Sequence, residues 1–327
     1  VNDTKNILFT ATFINTFIRT DLSILQRHHH VQPVIASGFF TIFTFLRYLP
    51  SSDLTFSWFA SVYSSILVFL AKLFGKRSVL ILGGVDVAKI PELKYGIWIT
   101  PWKAAIVRYG ITHADIVLAV DPSIKADAAA LAKYNGNNIA VLPTGHDTEY
   151  WVPGNTVRHD AVLTVATCDD ETRFKIKGID FLYEIARDLP HRRFILIGMT
   201  QAVKSQHIPP ANLDVHPPLP HGELLHHYQS AKVYLQPSMR EALGSTLCEA
   251  MLCGCIPVGS GVGGIPTVIG ETGILFPFGD VRSATAAITA AFAKDASDSG
   301  RKRIVEQFSL RQRETGLLNI ISSIHGT

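Results

Sequence analysis

The chain reads as an α/β protein built from two doubly wound parallel-sheet domains. Short apolar runs alternate with helix-length segments from residue 6 onward, the alternation breaks once at a polar, turn-rich stretch near residue 155, and it then resumes. At 327 residues the chain is about twice the usual size of a single domain, and its 47% hydrophobic content is ample for two buried cores.

In the first half, residues 7–11 form a strand-length apolar run, 17–27 has helical length and 31–36 is a second strand. Further strands are expected at 54–57, 78–82, 116–120 and 139–142, with helices at 59–74, 102–111 and 123–133. The stretch 153–160, Pro-Gly-Asn-Thr-Val-Arg-His-Asp, is the linker. Beyond it, strands are expected at 162–166, 193–197, 232–235, 256–258 and 274–276, and helices at 179–189, 223–230, 244–253 and 281–293. The domains are therefore 1–155 and 156–309, with a C-terminal helical segment, 310–327, free to pack back on the first. Two Rossmann-like domains facing an interdomain cleft are the expected architecture. Open parallel sheets bind ligands beyond the carboxyl ends of their strands, so functional residues should lie on those loops.

Composition narrows the function. The net charge is only +3, and the excess lies before residue 155, where 13 basic residues meet 10 acidic ones against 17 of each afterwards. Nothing resembles a nucleic-acid-binding surface. Four clustered cysteines, Cys168, Cys248, Cys253 and Cys255, make no disulfide framework and point to a reducing, cytoplasmic location with the thiols as core hydrophobes. The first apolar run is too short for a signal peptide, and Lys72, Lys76 and Arg77 interrupt the most apolar stretch, 58–82, before it could span a membrane. Within that stretch Trp58, Phe59, Phe69, Leu70, Leu73 and Phe74 make either an ordinary core helix or an apolar and basic face for peripheral membrane contact. His28, His29 and His30 are adjacent and point different ways, so no metal site is expected.

The richest stretch is 237–258, PSMREALGSTLCEAMLCGCIPV. Glu241 follows a strand, and Glu249 lies about two turns into the next helix. The start of that helix aims the amides of Leu243 to Thr246, including Gly244, with the hydroxyls of Ser245 and Thr246, at an anion such as a diphosphate. A carboxylate accepts hydrogen bonds from both hydroxyls of a sugar diol. Spacing alone leaves open that Glu241 caps the helix and that Glu249 is solvated.

The whole string resembles the Glu-x7-Glu signature of the retaining glycosyltransferases of family 4, which share the two-domain GT-B fold. The resemblance implies that Glu241 contacts the donor sugar near its reacting carbon and that Glu249 holds the nucleotide ribose. Pro143-Thr144-Gly145-His146-Asp147 is similar to the family's Pro-Asn-Gly-x-Asp turn at the domain junction. Lys177 stands where the family places a lysine on the donor diphosphate. The arginine usual five residues earlier is Thr172 here, so Arg173 and Lys175 are the donor-binding substitutes. In the first domain, Thr16-Phe17-Ile18 resembles a Thr-Phe-Ile variant of the loop after strand one. The usual histidine after the fourth strand gives way to Gly83-Gly84-Val85-Asp86. Thr16, Phe17 and Asp86 are thus the acceptor-side candidates.

The expected activity is transfer of a hexosyl unit, with retention, from a UDP- or GDP-sugar to a hydroxyl acceptor. That acceptor is a glycan, a lipid-linked molecule or a small molecule, and no cofactor or metal is required. Two alternatives remain: a nucleotide-sugar epimerase or hydrolase-like enzyme, and a non-catalytic subunit that binds sugar nucleotide.

Overall fold

The computed structural model describes residues 4–155, 157–294 and 298–324. Thr156 of the expected linker and residues 325–327 of the expected C-terminal segment lie outside the described residues. The chain divides into two units, 1–145 with 311–327, and 146–310.

The first unit runs β1 (Asn6–Ala11), α1 (Thr16–His28), β2 (His30–Ile35), α2 (Thr41–Tyr48), β3 (Leu54–Trp58), α3 (Val62–Leu73), β4 (Arg77–Leu82), α4 (Pro101–His113), β5 (Ile116–Ala119), α5 (Pro122–Ala132) and β6 (Ile139–Val141). All strands pair in parallel, in the order β2-β1-β3-β4-β5-β6. The central strand β3 is buried along its whole length, as expected of a parallel strand covered by helices on both faces. Polar caps set the helix starts. Asn15 accepts from the Ile18 amide at 3.1 Å, and Asp121 accepts from Ser123 at 2.8 Å just ahead of Pro122.

The helix expected from residue 59 begins only at Val62. Ser61 and Ser64 form a reciprocal capping box, and Phe59 ahead of it takes a left-handed φ of 64°. Trp58, Phe59 and Leu70 are buried, which removes them from the apolar face expected on this segment; Phe69, Leu73 and Phe74 remain exposed.

A buried ion pair ties the last helix into this unit. The helix α14 spans Leu310–Ser323. From it, Arg313 reaches Asp21 of α1 through both carboxylate oxygens, at 2.9 and 2.6 Å. The guanidinium also donates to the carbonyl of Leu142 at 2.8 Å, and the indole of Trp58 donates to Asp21 at 2.9 Å. Arg313 and Asp21 are 1% and 2% exposed, so neither charge has water to fall back on.

The second unit contains β7 (His159–Cys168), α6 (Glu171–Ile176), α7 (Ile179–Asp188), β8 (Arg193–Met199), α8 (Gln201–Lys204), β9 (Leu213–His216), α9 (Leu224–Ser230) and β10 (Ala231–Gln236). It continues with α10 (Ser245–Leu252), β11 (Ile256–Ser260), α11 (Ile265–Ile269), β12 (Ile274–Phe276), α12 (Val281–Ala293) and α13 (Ser299–Gln307). Its six parallel strands run β12-β11-β10-β7-β8-β9. The amphipathic α7 packs Ile179, Leu182, Ile185 and Ala186 into a core with Phe194, Leu196 and Ile288.

This unit begins ten residues before the expected boundary. Trp151 is buried against His221 and Tyr228, and Arg301 donates to the carbonyls of Thr148, Trp151 and Leu252. The amide of His146 donates to the carbonyl of Phe308, and that of Leu310 to the carbonyl of His146. The expected linker, 153–160, therefore lies inside the second unit, and β7 already starts at His159.

Replacing Asp21 by Ala leaves a buried guanidinium without its counter-charge, which costs about 3–5 kcal/mol. Urea unfolding of D21A should show this loss, and D21A/R313M should recover part of it. Equal stability of D21A and the unmodified protein would show that the pair contributes nothing.

Candidate active site

In both sheets the strand order reverses direction once, and in the second unit it does so between β7 and β10. Loops leaving the carboxyl ends of such a strand pair diverge and leave a crevice between them. One loop leads from β7 into α6 and α7 and carries Lys177. The other leads from β10 into α10 and carries Glu241.

Backbone contacts lock the two loops together. The amides of Met239 and Arg240 donate to the Ile176 carbonyl at 2.9 and 3.3 Å. Gly178 turns with a φ of 65°, and a Cβ there would lie 2.0 Å from the Pro237 carbonyl oxygen. On the opposite side Gly263, with a φ of 54°, lets the chain pass so close that a Cβ would lie 1.9 Å from the Glu241 carbonyl oxygen.

The result is a close ion pair: Lys177 Nζ stands 2.8 Å from Glu241 Oε2, with the two side chains 24% and 12% exposed. The amide of Gln236 at the end of β10 donates to Ser238 at 2.8 Å and to Glu241 at 3.3 Å. Its oxygen accepts from Tyr234 at 3.1 Å and from Thr246 at 3.4 Å. Glu241 does not cap α10, whose N-cap is Gly244 with a φ of 95° and no side-chain hydrogen bond. The Thr246 hydroxyl, expected to face an anion, is instead engaged by Tyr234 at 2.8 Å, while Ser245 is half-buried at the first helical position.

Glu249 lies one turn into α10 rather than two, because the helix starts at Ser245. It is 5% exposed, not solvated. Oε1 meets His221 Nε2 at 2.8 Å and Oε2 accepts from the Tyr228 hydroxyl at 3.1 Å. The hydrogen bond to Glu249 holds His221 above its ordinary pKa, while burial followed by Glu249 raises Tyr228 and keeps it a phenol. His146 is buried beside this cluster with Nε2 unpartnered, and burial, with His221 second, pushes it down to about 4.

The remaining predicted residues are placed differently. Arg173 pairs with Asp169 at 3.1 Å, and Lys175 with Asp180 at 3.0 Å, a hydrogen bond that raises the lysine pKa. In the first unit Thr16 is exposed at the start of α1, and Phe17 packs on Trp58 at 5.0 Å. Asp86 is 2% exposed and accepts from the amides of Ala60, Gly83 and Gly84 at 3.0, 3.1 and 2.7 Å. Burial raises its pKa against those amides. This carboxylate ties the loop after β3 to the loop after β4, its oxygens taken up by backbone amides rather than open as an acceptor-side group would be.

His28 pairs with Glu314 at 2.8 Å, and among the described residues no group of three or more His, Cys, Asp or Glu is placed to hold a metal. All four cysteines are free and buried, and burial pushes Cys168 and Cys255 up to about 12, so they remain thiols.

The match to known proteins falls on this crevice. Residues 172–307 match the glycosyl transferases group 1 family, a span that holds Lys177, Glu241, Glu249 and His221. Alpha-maltose-1-phosphate synthase of Mycolicibacterium smegmatis is 26% identical over 68% of this chain, which spans 65% of that enzyme's own length. Sucrose-phosphate synthase from Thermosynechococcus elongatus superposes with a TM-score of 0.77 at 14% identity, covering 98% of this chain and 99% of that one. HepE from Anabaena, solved in complex with UDP-glucose, superposes at 0.76 with 13% identity over 98% of this chain and all of the other. The chain therefore has the two-unit GT-B fold.

Sequence reasoning missed His221, Tyr228, Tyr234, Gln236 and Trp151, which surround Glu241 and Glu249. Two consequences are measurable. Gly263→Ala forces a Cβ into the Glu241 carbonyl in a strained left-handed conformation, so it should lower stability by about 1–3 kcal/mol; an unchanged melting temperature would contradict the close approach.

The two histidines titrate in opposite senses. The unfolded chain binds a proton at His146 more tightly than the fold does, so stability falls as pH drops from about 6.5 toward 4. At His221 the fold binds the proton more tightly. That stabilisation is complete below about pH 6.5 and is lost as pH rises through the raised folded value. Urea unfolding from about pH 4.5 to about pH 8.5 should show His146→Phe flattening the acid limb and His221→Gln flattening the other. Parallel curves for all three proteins would contradict both assignments.

Proposed function

We propose that the chain transfers a hexosyl unit, with retention at the sugar carbon, from a UDP- or GDP-sugar to a hydroxyl acceptor, as family 4 glycosyltransferases do. The observation that carries this reading is the Lys177–Glu241 pair at the strand-order reversal, inside the group 1 match. The fold shared with HepE, solved with UDP-glucose, supports a nucleotide-sugar donor.

An ammonium and the free amides at the start of α10 suit a diphosphate. On donor binding Lys177 turns from Glu241 to the phosphate, and the freed carboxylate accepts hydrogen bonds from the sugar. The bond between the sugar C1 and the β-phosphate oxygen breaks, and its electron pair leaves with the diphosphate. The acceptor oxygen bonds to C1 on the same face, and its proton passes to the departing diphosphate. Lys177 and the helix-start amides stabilise the charge that develops on that leaving group, with no metal required. Glu249 has lone pairs left beside His221 and Tyr228 to accept from the ribose hydroxyls. The acceptor is a glycan, a lipid-linked molecule or a small molecule.

Thermal shift against UDP, GDP and their hexose conjugates, followed by nucleotide release with the best donor, tests this reading. Glu241→Gln and Lys177→Ala should each lower transfer by about 100-fold or more while nucleotide still stabilises the protein. Glu249→Ala should weaken nucleotide binding by about tenfold or more. Full activity of Glu241→Gln and Glu249→Ala would sink the site. Release of free sugar without an acceptor would make the chain a hydrolase, and binding without consumption of any donor would make it a non-catalytic subunit.

A further inference from the structure

The helix α2 is apolar on both sides. Its inner side sends Phe45, with Leu49 just beyond its end, into a cluster with Leu67, Leu70 and Ala71 of α3. Its outer side and the turn before it present Phe39, Phe40, Phe43 and Leu46, which are 70%, 80%, 57% and 38% exposed. The three rings contact one another, Phe39 to Phe43 at 5.7 Å and Phe40 to Phe43 at 6.4 Å, so they form one raised aromatic cluster. Ile35, at the end of the adjoining strand β2, is 46% exposed. A contiguous cluster of exposed rings of this kind marks a surface that a second apolar medium covers.

The sequence around this helix is one-sided in charge. From residue 22 to residue 85 the sequence holds Arg27, Arg47, Lys72, Lys76 and Arg77 but only one acidic residue, Asp53. Glu314 and Asp115 neutralise Arg27 and Arg77. Arg47 and Lys72 are exposed, one beside the aromatic cluster on α2 and the other on the neighbouring α3.

We propose that this face docks on a bilayer surface rich in anionic lipid, with the three phenyl rings entering the headgroup boundary and Arg47 and Lys72 meeting lipid phosphates. One observation disfavours a second copy of the chain. The edge strand β2 carries Pro33, which removes a donor from the row that strand-to-strand pairing would use. A bilayer needs neither a matched shape nor a free strand edge, only protruding rings and positive charge.

Sedimentation of the full chain with vesicles of phosphatidylcholine alone, and of phosphatidylcholine with about one third phosphatidylglycerol, tests the proposal. Binding is expected to the anionic vesicles, weakened by salt. F39S/F40S/F43S should lower it at least tenfold with an unchanged melting temperature, since those rings are exposed. R47E/K72E, which keeps every ring, should lower it as well. Absence of sedimentation with anionic vesicles would overturn the proposal, and so would equal binding by both variants. A concentration-dependent dimer in analytical ultracentrifugation, abolished by F39S/F40S/F43S, would assign the face to a second copy instead.

Discussion

A side chain at position 178, 263 or 264 would collide with the carbonyl oxygen of Pro237, Glu241 or Ala242 respectively, and from that exclusion the site of the second unit follows. The loop leaving β10 is gripped from both sides by backbone. One neighbour is the turn that ends α6, and the other is the glycine turn that precedes α11. Because the grip is made by main-chain atoms, it does not depend on rotamers, and it leaves Glu241 only a short arc to sweep. Lys177 sits on one of the gripping turns, so its 2.8 Å approach to Glu241 is a consequence of the same packing. Preorganisation of this kind is what a charged ligand exploits, since no loop has to be ordered when it arrives.

The two glutamates eight positions apart are one motif in the sequence but two chemical environments in the fold. Glu241 keeps some contact with solvent and pairs with the partly exposed ammonium of Lys177. Glu249 is sealed among His221, Tyr228 and the Trp151 ring. A carboxylate with a lysine partner can exchange that partner for a ligand at little cost. One fixed by a buried phenol and a histidine is held in a set orientation and accepts further hydrogen bonds only through its remaining lone pairs. The first arrangement suits a group that changes partners during a reaction, the second a group that recognises a fixed shape.

Much of this was legible in the sequence, because alternating apolar runs report parallel strands and their helices locally. The strands expected at 54–57, 193–197 and 274–276, and the helix at 281–293, stand within about two residues of the observed elements. What escaped depends on contacts distant in sequence. His221 meets Glu249, and Arg313 meets Asp21, across separations that no local pattern encodes. The boundary near residue 155 was misplaced because Pro153, Gly154 and Asn155 look like a linker, whereas Trp151 packs into the second unit. Asp86 read as a ligand group because a sequence cannot tell a carboxylate satisfied by backbone amides from one facing a substrate. The helix α2 escaped because its eight residues, Thr41–Tyr48, make little more than two turns, too few for a helical period to stand out in the sequence.

The same topology is filled with different chemistry in the two units. In the second, the strand ends at the reversal carry Lys177, Gln236, Ser238 and Glu241, a set able to handle charge and hydroxyl groups. In the first, the reversal lies between β1 and β3, and the loops there carry Phe13 and Phe59 stacked at 5.3 Å, with Phe17 against Phe59 at 6.2 Å. Asp86 and Ser64 are spent on holding this aromatic loop, Asp86 accepting from Ala60 and Ser64 donating to the Phe59 carbonyl. Phe13 stays 47% exposed at that edge. A ring face offers stacking area and dispersion but no fixed charge, whereas the strand ends of the second unit present an ammonium and a carboxylate. Asp86 and Ser64 of the first unit therefore serve to shape an aromatic edge, whereas Lys177 and Glu241 of the second face one another as a charge pair that keeps some exposure to solvent.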